Sequence, residues 1–91
     1  MKTFTILGAG WLGFELAIVL KNDFKIKVSS RTKDKLKMYE EEGFDSYILN
    51  EKNLTFLDEL LDTNYLFINF PPSKFEDYLS FLNKIYSSKR I

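Results

Sequence analysis

A chain of 91 residues supplies one small domain. Thirteen basic and thirteen acidic residues cancel, so no global field draws the chain to nucleic acid or to an anionic membrane surface. Cysteine and histidine are both missing from the composition. This excludes disulfides, thiolate chemistry, imidazole general-base catalysis and the commonest metal ligand, and it fits a cytoplasmic setting.

The N-terminus, Met1 and Lys2 followed by apolar residues, has a superficial likeness to a signal peptide. Thr3, Thr5 and a group of glycines interrupt it, so a strand followed by a turn is the better reading. Thr3 to Leu7 is β-branched and apolar and stops at Gly8, as a buried strand does. Trp11 to Leu20 carries Glu15 as its single charge, which predicts a helix covered on most sides. In the second strand, Phe24 to Ser29, the apolar Phe24, Ile26 and Val28 alternate with Lys25 and Lys27. Thr32 offers an N-cap for a polar helix with Leu36 and Tyr39 three apart, and Gly43 suits its C′ position.

Asp45 to Leu49 reads as a weaker third strand. Asn53 or Thr55 can then cap a helix bearing Leu57, Leu60 and Leu61. Tyr65 to Phe70 is an apolar fourth strand stopped by Pro71 and Pro72. Ser73 and Glu76 form a capping box before a helix whose apolar stripe is Phe75, Tyr78, Leu79, Leu82, Ile85 and Tyr86. Phe81 lies off that stripe, a candidate for a partner contact.

Strands alternating with helices imply parallel, right-handed βαβ crossovers. The expected architecture is α/β, a Rossmann-type three-layer α/β/α domain over 1–91 with a parallel four-stranded sheet in the order 3-2-1-4. A complete doubly wound sheet would continue with a fifth strand where Ser88, Lys89, Arg90 and Ile91 stand. The expectation is therefore an incomplete dinucleotide-binding domain, or a homodimer that covers the apolar edge of the fourth strand through that edge or the last helix. The alternative is that loops or the last helix cover the edge within one chain.

Gly8-x-Gly10-x-x-Gly13 lies after a strand and at the opening of a helix, where the dinucleotide fingerprint belongs. There the first glycine permits the tight turn, the second lets a pyrophosphate approach the backbone, and the third lets helix and strand pack closely. Amides of the helix start and the helix dipole would hold the anion. The competing explanation is a tight turn with close packing and no ligand.

The end of the second strand bears on the choice of dinucleotide. NAD sites usually place a carboxylate there for the ribose hydroxyls, but this chain has Ser30, Arg31 and Thr32. A guanidinium and two hydroxyls suit a 2′-phosphate, which favours NADP over NAD while leaving NAD possible. Lys33 and Lys35 add positive charge, more simply read as a solvated face. Asn69, Phe70, Pro71 and Pro72 follow the fourth strand on the sheet's C-terminal side, where the two prolines form either a rigid wall beside the ligand or a plain strand end. Helix-to-sheet packing is the expected role of Phe14.

Together "ILGAGWLG", "SSRT" and "LFINFPPS" resemble the N-terminal part of atypical extended short-chain dehydrogenase/reductase proteins of the sugar-nucleotide epimerase or epimerase/dehydratase kind. The resemblance runs along the whole chain and spans less than half of a usual member. It implies NAD(P) contacts at Gly8, Gly10, Trp11, Leu12 and Gly13, at Ser30 and Arg31, and near Phe70 and Pro71. The Tyr-x-x-x-Lys pair of that superfamily has no counterpart: the residues four positions after the five tyrosines are Gly43, Glu51, Asn69, Leu82 and Arg90. Expected, then, is cofactor binding without a catalytic residue in this chain. Two alternatives remain: the cofactor domain of a hydroxyacid-type dehydrogenase, or a non-catalytic module that senses a dinucleotide or mediates association. A methyltransferase is disfavoured, because it usually wants an acidic residue where Ser30 and Arg31 stand.

Overall fold

The computed structural model describes residues 1–50, 52–69 and Asn83. Within them β1 (Thr3–Leu7) leads through α1 (Trp11–Leu20) to β2 (Lys25–Ser30). A 3-10 turn (Lys33–Lys35) and α2 (Leu36–Glu41) lead on to β3 (Asp45–Ile48), and α3 (Leu57–Leu61) leads to β4 (Tyr65–Ile68). The strands form one sheet in the order β3-β2-β1-β4. Every pairing is parallel, with Phe4 aligned to Ile26 and to Tyr65, and Lys27 to Asp45. This is the Rossmann-like arrangement expected of alternating strands and helices. Because all four strands run the same way, the loops after Leu7, Ser30, Ile48 and Ile68 gather along one edge of the sheet.

Alternation along β1 splits the core in two. Ile6 packs with Ala17, Ile26, Val28, Tyr39 and Phe44 beneath α1 and α2. Its neighbour Leu7 packs with Leu49, Leu57, Leu60 and Leu61 against α3. A parallel sheet is covered on both faces, so polar alternates in its strands are buried too. Lys27, one of the two lysines of the β2 alternation, is accordingly only 5% exposed, whereas Lys25 at the start of the strand is exposed. Its ammonium donates to the carbonyls of Glu59 (2.7 Å) and Asp62 (2.9 Å) and to Glu59 Oε1 (3.1 Å). The charge thereby satisfies carbonyls at the end of α3 that the helix itself leaves without donors.

Phe14 lies as expected in the helix-to-sheet layer, stacked on Tyr39 at 5.6 Å and edge-on to Phe44 at 6.2 Å. Gly43, with φ of +87°, ends α2 in the αL conformation predicted for its C′ position. Three local expectations change. α1 is not covered on most sides: Trp11, Leu12 and Val19 are exposed, because its sheet-facing contacts run along Gly13 and Ala17. Thr32 is extended and makes no side-chain cap, and the chain passes through the 3-10 turn before α2 begins. The third helix starts later than Asn53 or Thr55. Asn53 Oδ1 accepts the Thr55 amide at 3.1 Å, a local turn that competes with helix, so α3 begins at Leu57.

The capping box of Ser73 and Glu76, the stripe from Phe75 to Tyr86, Phe81, and the expected cofactor contacts Phe70, Pro71 and Pro72 lie outside the described residues. Among the described residues no helix is long and apolar enough to cross a membrane. Nor does any group of three or more acidic side chains there stand ready to hold a metal ion.

Candidate functional site

The glycine turn is fixed by three side chains from distant parts of the sequence. Gly8, with φ of +78°, turns the chain out of β1. Its amide donates to Ser29 Oγ at 2.8 Å, and the next amide, that of Ala9, donates to the Ser29 carbonyl at 2.9 Å. The carbonyl of Gly8 accepts from Asn69 Nδ2 at 3.0 Å, and the Asn69 amide donates to the Leu7 carbonyl at 2.8 Å. Tyr39 is buried in the other layer and donates its hydroxyl to the Ala9 carbonyl at 3.2 Å. Burial raises the Tyr39 pKa above its ordinary value, which keeps that donor protonated. The turn is therefore rigid up to Ala9, and β2, α2 and the end of β4 all hold it.

The three glycines of the motif answer different demands. Gly8 needs its positive φ. At Gly13 a Cβ would stand 3.1 Å from Ile6 Cγ2 and 3.3 Å from the Gly8 carbonyl oxygen, so close packing of helix on strand requires a glycine. Gly10 is different. Its φ and ψ are −38° and −158°, it is exposed, and a Cβ built there would meet nothing within 4 Å among the described residues. No described neighbour crowds a side chain at that position.

Gly10 is also the residue before α1, whose first amides, those of Trp11, Leu12 and Gly13, have no acceptors within the helix. The first turn of α1 carries no acidic residue. Among the described residues nothing crowds the backbone at the positive end of the helix dipole, the geometry that receives a phosphate. Trp11 and Leu12 expose their side chains at the same corner, Trp11 to 81%.

The second part of the expected site lies at the end of β2. Ser30 is buried, and its Oγ accepts the Thr32 amide at 3.3 Å, so it shapes the loop from within. Thr32 is exposed and Arg31 half-exposed. The carbonyl of Arg31 accepts from Asn50 Nδ2 at 3.1 Å, which ties this loop to the one after β3.

The expected residues thus fall into two groups on the loop edge of the sheet: Gly8, Gly10, Trp11, Leu12 and Gly13 at the first turn, and Ser30, Arg31 and Thr32 at the second. The sequence placed Asn69 after the fourth strand and Tyr39 on the second helix, but it assigned no bracing role to the residues that hold these turns. Ser29, Tyr39, Asn50 and Asn69 act through contacts 19 to 61 residues away, which no local spacing reveals. One signal was present: Asn69 is a polar residue closing the apolar run Tyr65 to Ile68, at the ligand-facing end of a parallel strand. In comparisons with protein-family models, with curated proteins and with solved structures, nothing matches this chain.

Proposed function

We propose that this chain binds a nicotinamide dinucleotide, NADP in preference to NAD. The pyrophosphate would lie against Gly10 and the first amides of α1, with the adenosine 2′-phosphate at Arg31 and Thr32. The observation that carries the reading is Gly10, a glycine at a helix N-terminus where an added Cβ would meet nothing within 4 Å among the described residues. A positive φ accounts for Gly8 and close packing for Gly13, whereas no described neighbour crowds Gly10; a phosphate approaching the backbone supplies a reason for a glycine there. The preference for NADP rests on Ser30 standing where a carboxylate would otherwise receive the ribose hydroxyls and on Arg31 directly after it.

A bound dinucleotide would supply hydride chemistry, and the residues of this chain would bind and orient it. The chain then serves as the cofactor-holding part of an oxidoreductase or an epimerase/dehydratase-like protein, as its resemblance to atypical short-chain dehydrogenases suggests. One observation favours a second reading, a dinucleotide-dependent interaction module. Trp11, Leu12 and Val19 are exposed around Glu15 on one side of α1, and exposed apolar side chains grouped in this way mark contact sites. Homodimerisation through the edge of β4 belongs to the same reading.

Trp11 is the chain's one tryptophan and adjoins Gly10, so its emission reports on the site. Titration with NADPH and with NADH, followed by fluorescence and calorimetry, should give saturable binding that favours NADPH. The Arg31→Ala variant should lose that preference. A wild-type sample with a cooperative unfolding transition that binds neither nucleotide would refute the proposal.

A further inference from the structure

Lys52 belongs to no motif, yet the fold carries it to the second turn. The side chain of Asn50 bridges two loops: its Nδ2 donates to the Arg31 carbonyl at 3.1 Å while its Oδ1 accepts the Lys52 amide at 2.9 Å. One planar amide therefore spans the two backbones and holds them within about 8 Å of each other. Asn50 is itself fixed, by paired backbone hydrogen bonds with Asn53 at 3.2 and 3.0 Å. The adjoining Leu49 amide donates to the Ser30 carbonyl at 2.9 Å, extending the β2 to β3 ladder to the start of this loop. Lys52 is exposed, on the same edge of the sheet as Arg31.

We propose that Lys52 is a second cation for the adenosine 2′-phosphate, set beside Arg31 by the Asn50 bridge; this rests on the dinucleotide reading above. A phosphate monoester carries about −1.5 to −2 charges at neutral pH, more than one guanidinium balances. A lysine acts as a point charge on a flexible stem, so it needs only placement near the phosphate, which a pinned backbone provides. Lys33 and Lys35 are also exposed, on the 3-10 turn with Asp34 between them, and they are the natural controls. The contribution is specific to NADP, because NAD has no 2′-phosphate.

The test compares the wild type with Lys52→Gln, Lys33→Gln and Asn50→Ala, titrated with NADPH, NADH and adenosine 2′,5′-bisphosphate. Lys52→Gln should weaken NADPH and the bisphosphate by about three- to tenfold, more at low salt, and leave NADH unchanged. Lys33→Gln should change none of them appreciably, and Asn50→Ala should resemble Lys52→Gln. Unchanged NADPH affinity in Lys52→Gln, with a wild type that prefers NADPH, would overturn the role of Lys52 alone. An equal loss for NADH would also overturn it, by showing a general effect on the fold. A wild type that binds none of the three ligands would remove the dinucleotide reading and this proposal together.

Discussion

Ser29 and Gly8 are 21 residues apart in sequence and joined by a 2.8 Å hydrogen bond from the glycine amide to the serine hydroxyl. That bond closes the first turn onto the second strand, so the turn's shape depends on a residue outside the glycine motif. Ser29→Ala removes the acceptor and leaves a part-buried amide unpaired. The expected loss is about 1 to 3 kcal/mol in urea denaturation, with dinucleotide affinity lowered as the turn loosens. Ser29→Thr, which keeps the hydroxyl, should retain more affinity than the alanine variant.

Lys27 makes a contrasting prediction, because it works at the other end of the sheet. Its ammonium holds Glu59 and Asp62 where α3 hands the chain to β4. Lys27→Met fits an apolar stem into the same layer but leaves two carbonyls without their donor. It should cost about 2 to 4 kcal/mol and leave nucleotide affinity, measured under conditions where the variant is folded, unchanged.

Thr5 carries a small defect that can be repaired. Its hydroxyl is buried in the centre of the sheet with no hydrogen-bond partner among the described residues. Thr5→Val replaces that hydroxyl by a methyl group of similar shape and should stabilise the fold by about 1 kcal/mol. A rise in the urea midpoint with an unchanged slope is the expected result.

Alkaline pH should loosen the first turn through Tyr39. Burial raises its pKa in the folded state above the ordinary tyrosine value of 10.0. A raised folded pKa stabilises the fold below the unfolded pKa, and that contribution is lost as pH rises through the folded value. Stability should therefore fall above about pH 10. In Tyr39→Phe the alkaline decline should be shallower, although the variant starts lower by about 1 kcal/mol for the lost bond to Ala9. Denaturant midpoints measured across this range check both statements.

Much of the fold was legible because its signals are local. The bounds of β1 and α1 follow from an apolar run stopped at Gly8 and resumed at Trp11, and Gly43 ends α2 where its φ demands. Alternation of strands and helices then leaves few topologies, and right-handed crossovers select the observed order. What was not legible depends on partners far along the chain. The buried state of Lys27 requires α3 to arrive above it, and the exposure of Trp11 and Val19 depends on which side of α1 the small residues Gly13 and Ala17 turn to the sheet. The start of α3 was misplaced because the Asn53 side chain serves a turn in place of a cap. At the site, the glycine spacing marked the position, whereas the braces Ser29, Tyr39 and Asn69 are visible only in three dimensions.

The central claim is that Gly10 is a glycine for the sake of a ligand and Gly13 for the sake of packing. Alanine at Gly13 presses on the Ile6 side chain and on the braced Gly8 carbonyl. It should destabilise the fold by about 1 to 2 kcal/mol, even after the gain in helix propensity. Alanine at Gly10 meets nothing within 4 Å among the described residues, so it should cost about 1 kcal/mol or less. Measured by calorimetry on Gly10→Ala, the affinity for NADPH should fall by about tenfold or more, because the new methyl group lies where the pyrophosphate approaches. An affinity for NADPH in Gly10→Ala equal to that of the wild type would contradict the account.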